Sequence, residues 1–168
     1  MKVSIVTVCY NSAETIENTL ISVISQSNPN IEYIVIDGQS TDATLEIIGR
    51  YKSKLAKVIS EPDKGIYDAI NKGIQLASGE LVGVLNSDDF YVNSSVIEEV
   101  VKTLQQQNAD CVYGDLQYVD RQNTDLVKRN WVSGKYEQGL FYKGWMPPHP
   151  TFFIKNECYK KYGYFNLK

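Results

Sequence analysis

The sequence predicts an α/β fold: a Rossmann-like three-layer αβα sandwich around a mostly parallel sheet, with a small antiparallel subregion toward the C-terminus. Three observations predict it. Short apolar runs alternate with amphipathic stretches through the first two thirds of the 168 residues. The runs are almost continuously apolar, as in strands covered on both faces. After Gly114 the pattern changes to two short segments joined by a polar turn.

Val3 to Tyr10 is apolar and β-branched along most of its length and reads as a buried strand. Asn11, with Glu14 three residues on, offers a helix start, and Ile16, Leu20, Val23 and Ile24 fall on one helical face. Tyr33 to Ile36 is a second buried strand. Leu45, Ile48 and Tyr51 line the helix after it, with Ser40 or Thr41 as the expected cap. The run at Val58 and Ile59 is a short third strand ending at Glu61-Pro62. Ile66, Ile70, Ile74 and Ala77 then keep helical spacing until Ser78-Gly79 stops them, with Asp63 placed as a cap. Leu81 to Leu85 is the fourth strand, Ile97, Val100, Val101 and Leu104 mark the fourth helix, and Cys111 to Tyr113 opens a fifth strand. Leu116 to Val119 and Leu126 to Trp131 read as an antiparallel pair around Asp120-Arg121-Gln122-Asn123. A Gly-, Pro- and aromatic-rich stretch leads to a short helix over Asn156 to Tyr162. A chain of this length supports one core without disulfides or a structural metal. Residues 1–168 are therefore expected to form one domain, with 1–115 and 116–168 as its two regions.

Composition excludes several functions. Seventeen basic side chains against twenty acidic ones, a net charge of -3 and no basic run argue against a nucleic-acid partner. No stretch approaches the 18 apolar residues of a spanning helix, and the opening MKVSIVTVCYN lacks a signal-peptide cleavage site, so the cytoplasm is the expected location. Cys9, Cys111 and Cys158 are odd in number and far apart in sequence. They read as buried or idle thiols, not a disulfide or a zinc site.

In a parallel sheet, ligands bind beyond the carboxyl ends of the strands. There the sequence offers Thr7, Tyr10 and Asn11; then Asp37-Gly38-Gln39-Ser40-Thr41-Asp42; then Glu61, Asp63 and Lys64; then Asn86-Ser87-Asp88-Asp89; and finally Gly114-Asp115. Loops are polar everywhere, so each residue alone reads first as turn or cap chemistry. Asp88-Asp89 stands apart, because adjacent carboxylates repel unless something offsets their charge. Mg2+ or Mn2+ does so, and takes one or two protein carboxylates plus substrate phosphates. Gly38 lets backbone approach a flat ligand beside Asp37, whose carboxylate can accept from a base or ribose. Lys64 at a helix start can add positive charge near a phosphate. No glycine-rich dinucleotide loop follows the first strand, and there is no P-loop. His149, the one histidine, lies among three prolines; it reads as an acid, a metal ligand or an acceptor contact, or as part of a rigid loop.

In order, VSIVTVCYNSAETIENTLISVISQ, EYIVIDGQSTDAT and SEPDKGIYDAINKGIQLASGELVGVLNSDDFY resemble the nucleotide-binding half of a family 2 glycosyltransferase with the GT-A fold. The match is close to about Asp115. It continues loosely through HPTFFIKNECYKKYGYFN, which is similar to the acceptor-side segment of bacterial polysaccharide-assembling members. The resemblance implies that Thr7, Val8, Tyr10, Asp37, Gly38, Lys64, Asn86 and Asp88 lie along the nucleotide. It also implies that Asp89, assisted by Asp88, holds Mn2+ or Mg2+ against the sugar diphosphate. The implied donor is a nucleotide-diphosphate sugar, UDP-sugar ahead of GDP- or dTDP-sugar, and the acceptor a saccharide or lipid-linked saccharide. The implied reaction is a single inverting displacement in cell-surface polysaccharide biosynthesis, in the cytoplasm or at the inner face of the membrane. The resemblance places the general base in an acidic motif beyond Lys168, so the expectation is a chain that binds donor and lacks one catalytic group. A sugar nucleotidyltransferase is the competing enzyme class, but it calls for a Gly-rich basic loop where this chain has Tyr10-Asn11-Ser12-Ala13-Glu14. A phosphoacceptor receiver domain wants its acidic pair after the first strand, whereas here the pair follows the fourth.

Overall fold

The structure is a computed structural model and describes residues 1–167. Its elements are β1 (Val3–Cys9), α1 (Ile16–Ile24), β2 (Ile31–Asp37), α2 (Thr44–Arg50), β3 (Lys57–Ser60), α3 (Ile66–Leu76) and β4 (Leu81–Asn86). There follow α4 (Val96–Gln107), β5 (Cys111–Val112), β6 (Leu116–Val119), β7 (Val127–Trp131), β8 (Phe153–Lys155) and α5 (Asn156–Tyr162). The main sheet runs β3-β2-β1-β4-β8-β5, and β6 and β7 form a separate antiparallel ribbon. β1 pairs parallel with β2 on one side and with β4 on the other, and β2 pairs parallel with β3.

Alternation along the central strands decides which helices cover which face. Val3, Ile5 and Cys9 of β1 join Tyr33 and Val35 of β2 in one core with Ile16, Leu20 and Val23 of α1, Ile47 and Ile48 of α2, and Ile97 and Leu104 of α4. Val6 and Val8, with Ile34 and Ile36, face the other way onto Ala69, Ile70 and Ile74 of α3. These are the three layers. Gly73 lets α3 sit close on the sheet, since a side-chain carbon there would stand 2.2 Å from Val6 Cγ1.

Several local expectations are corrected. The run of parallel strands stops at β4: β8 lies between β4 and β5, antiparallel to both, with Phe153 opposite Gly83 and Val112. Gly83 makes room for this strand, because a side-chain carbon there would come within 2.4 Å of the Phe153 ring. A strand from beyond residue 115 thus completes the sheet that the first region begins. Asn11 does not cap α1; it turns the chain at φ 48, and its Oδ1 accepts from the Thr41 amide at 2.9 Å. Asp42, not Ser40 or Thr41, opens α2 by accepting from the Thr44 amide at 3.0 Å. Asp63 accepts from the Gly65 amide just ahead of α3. Cys9 is buried, but Cys111 is exposed, and the three thiols are free.

Glu32 holds the edge of the sheet opposite the cleft described below. Burial alone would push its carboxyl up, but the hydroxyls of Ser4 and Ser78, the Ser78 amide and the Lys2 ammonium outweigh this and bring it down to about 2. A carboxyl depressed from 4.5 gives stability that is complete above that pH and lost as pH falls toward 2, amounting to about 3 kcal/mol. Urea unfolding of the native protein and of Glu32→Gln should therefore differ most at pH 6 and converge as pH drops from 5 to 2. A gap independent of pH in that range overturns this account.

Candidate functional site

β1 leads to β2 and β3 on one side while β4 lies on the other, so the strand order reverses between β1 and β4. Crossovers diverge at such a point and leave a crevice at the carboxyl ends of the two strands. An open cleft of roughly 1090 Å3 lies there. Its floor is Val8 and Cys9, and Tyr10, Asn11 and Ser12 continue it from β1. Ser87, Asp88 and Phe90 enter from β4, and Asp63, Ile66 and Ala69 from the start of α3. A fourth wall comes from the β6–β7 turn through Val119, Asp120, Arg121, Gln122 and Thr124.

The loop after β4 is held from below. Thr19 of α1 is buried and its hydroxyl lies 3.0 Å from the Ser87 carbonyl and 2.8 Å from that of Asp89. Ser12 and Ser87 hydroxyls meet at 2.8 Å and join the β1 and β4 loops across the crevice. Asp88 is exposed toward the cleft, while Asp89 is half-buried behind it, where Asn86 Nδ2 donates to Asp89 Oδ2 at 3.2 Å. Burial first, and the Asp88 charge second, push the Asp89 carboxyl up to about 6 against the opposing hydrogen bond from Asn86. Two hard oxygen donors, one of them penalised for its charge, fit a divalent cation whose remaining ligands come from a bound molecule. Among the described residues no cluster of three His, Cys, Asp or Glu side chains supplies a complete protein cage.

Val8, Tyr10 and Asp88 line the cleft, and Tyr10 is 63% exposed at its rim. Thr7 does not reach it: the side chain is fully buried and its hydroxyl meets Tyr33 Oη at 3.0 Å. Asp37 is also fully buried. Its carboxylate accepts from the Ser40 amide and hydroxyl and from the Ser60 hydroxyl, so it organises the β2 loop below the cleft surface. Gly38 does allow a close approach, but by Asp63: a side-chain carbon there would meet Asp63 Oδ2 at 2.5 Å. Lys64 is exposed at the start of α3, outside the cleft lining, and its amide donates to Asp68. His149 is exposed, with its ring 6.4 Å from Phe165, and does not line the cleft. Asp115 is occupied by the Ser133 amide and hydroxyl, which hold its carboxyl low. The sequence reading missed Glu14, Thr15, Asn18 and the whole β6–β7 turn as cleft residues. Glu14 carried a signal only as the partner of Asn11 in a helix start; the turn carried none, since its sequence reads as a turn wherever it sits.

The family model described as glycosyl transferase family 2 matches residues 4–163. One curated relative is the UDP-Glc:alpha-D-GlcNAc-diphosphoundecaprenol beta-1,3-glucosyltransferase WfaP of Escherichia coli. It is 35% identical over 99 residues, which cover 58% of this chain and 39% of WfaP. The chain spans about two fifths of the length of the curated relatives it matches. Among solved structures, S. aureus TarS 1-349 in complex with UDP-GlcNAc superposes with a TM-score of 0.79 at 24% identity, over 99% of this chain and 49% of that one. Mannosyltransferase PcManGT from Pyrobaculum calidifontis, in complex with GDP-Man and Mn2+, gives 0.75 at 20% identity, over 99% and 48%. These likenesses establish the fold as GT-A.

Proposed function

The chain belongs to glycosyl transferase family 2, and from that premise we propose that the crevice between β1 and β4 binds a nucleotide-diphosphate sugar for inverting transfer to a saccharide or lipid-linked acceptor in cell-surface polysaccharide biosynthesis. The observation that carries this reading is the convergence at the switch point of the β1 loop, the α3 start and the Asp88-Asp89 loop, the last held by Thr19 and joined to the β1 loop through Ser12. Asp89 with Asp88 would hold Mn2+ or Mg2+, which when bound supplies Lewis-acid stabilisation of charge on the leaving diphosphate. The UDP-GlcNAc of TarS and the GDP-Man and Mn2+ of PcManGT support a nucleotide sugar and a divalent cation. A UDP-sugar is the favoured donor, ahead of GDP- and dTDP-sugars, and the acceptor of WfaP supports a lipid-linked saccharide.

Each residue of the chain has a definite task in this reading. Tyr10 offers a ring face at the rim for the base, and Val8 and Cys9 form an apolar floor. Asp37 acts one layer down by fixing the β2 loop through Ser40 and Ser60, and Thr7 ties β1 to β2 in the core through Tyr33. Lys64 adds long-range positive charge to the α3 start. His149 is assigned to the acceptor side, without a contact to the cleft. No helix among the described residues is long and apolar enough to cross a membrane. We place the reaction in the cytoplasm or at the inner face of the membrane, where a lipid-linked acceptor is reached.

A thermal-shift panel of UDP, GDP, CDP and dTDP, each with and without Mn2+, tests the reading. One diphosphate at about 100 times its Kd should add about 2.7 kcal/mol, a rise of several degrees, only when Mn2+ is present. No response to any of the four refutes it.

A further inference from the structure

The cleft is strongly acidic for a site that is to receive a diphosphate. Glu14, Asp42, Asp63, Asp88 and Asp120 line it, and among the described residues Arg121 is its one basic lining residue. Like charges gathered in one cleft repel unless something offsets them, so every positive charge in this cleft counts. Arg121 arrives from the tip of the β6–β7 ribbon, far along the chain from the loops of β1 and β4. Its guanidinium is paired across the crevice with the Glu14 carboxylate, and both side chains are largely exposed, at 74% and 79%. An exposed pair of this kind contributes little to stability. The guanidinium is therefore held close to the cleft without being committed to Glu14, and its planar fork suits the oxygens of a diphosphate.

We propose that Arg121 is a donor-binding residue that exchanges its resting partner Glu14 for the diphosphate of the nucleotide sugar. This rests on the nucleotide-sugar reading of the cleft. Glu14 acts as a placeholder that aims the β6–β7 turn at the site when donor is absent, and becomes a free carboxylate when donor binds. The turn then closes the side of the crevice that the sheet leaves open. Other charges at the turn are already engaged: Lys128 pairs with Asp120 at 3.2 Å, and Arg129 lies over the Tyr118 ring at 5.4 Å.

Calorimetric titration of UDP and of UMP in the presence of Mn2+ tests this on the native chain and on Arg121→Gln, Glu14→Gln, the double variant and Arg129→Gln. Arg129→Gln makes the same charge change on the same ribbon away from the cleft. Arg121→Gln should weaken UDP about five- to twentyfold and UMP less, with Arg129→Gln near native. Glu14→Gln should strengthen UDP a few-fold in the native background and clearly less when Arg121 is already Gln, because the gain comes from releasing the guanidinium. Equal effects of Arg121→Gln and Arg129→Gln, or a Glu14→Gln gain undiminished without Arg121, overturn the exchange while leaving the nucleotide reading standing. Failure of the native chain to bind UDP, GDP, CDP or dTDP with Mn2+ overturns both. The replaced side chains are exposed, so all variants should melt within a degree or two of the native protein.

Discussion

Phe153→Ala is expected to remove about 3–5 kcal/mol of stability and to lower the melting temperature by roughly 8–15 °C. Phe153 is 1% exposed, lies against the bare backbone of Gly83 and stacks on Tyr91 with ring centroids 6.3 Å apart. Nothing can collapse into the space it leaves: β4 and β5 flank it in the sheet, and the Tyr91 ring is itself buried. The cost therefore includes a cavity as well as lost apolar burial. Phe153→Leu, which keeps most of the volume, should cost less than half as much. Chemical denaturation of both variants checks this, and equal, small losses would show that β8 contributes little to the sheet.

Asp89→Asn is expected to act with opposite sign on two measurements. Response to nucleotide diphosphate with Mn2+ should fall by a hundredfold or more in affinity, on the order of 3 kcal/mol, because an amide neither carries the charge nor matches a carboxylate as a donor to a hard cation. The metal-free protein should become more stable. Asp89 titrates near 6 in the folded chain against an ordinary 3.8, so above pH 6 its ionised form opposes folding, and an uncharged amide of the same shape relieves that cost. At pH 7.5 the gain should be about 1–2 kcal/mol, and it should shrink as pH falls from 6 toward 4. Asp88→Asn, at the exposed position, should lose the ligand response and gain less stability than Asp89→Asn, because it removes only the repulsion between the two carboxylates and not the burial of a charge. A stabilised Asp89→Asn that still responds fully to Mn2+ would remove Asp89 from the metal site.

The parallel core was legible because its central strands are covered on both faces, so Val3 to Tyr10 and Tyr33 to Ile36 carry their burial as almost continuously apolar sequence. The acidic pair was legible because adjacent carboxylates demand an explanation at any strand end. β8 was not, since three residues give no period, and the decisive partner is the missing side chain of Gly83. Thr7 and Asp37 could be placed at strand ends but not assigned a direction: alternation turns Thr7 into the α1–α4 core, and Ser40 and Ser60 take up Asp37. Arg121 and Glu14 are 107 positions apart, and only the path of the ribbon over the crevice joins them.

The insertion of β8 also bears on the order in which the molecule can be made. On a ribosome, β1, β2 and β3 can pair as soon as they emerge, and β4 can add to β1. The outer edge of β4 then waits for Phe153–Lys155, more than sixty residues later, while synthesis at about 5–20 residues per second keeps that edge bare for several seconds. Val82 and Val84 lie on an apolar strand that is free to pair with the same strand of a neighbouring nascent chain during that interval. The late C-terminal strand thus works as a latch on the parallel part of the sheet, and a chain released before residue 155 would present a sticky edge in place of a finished fold.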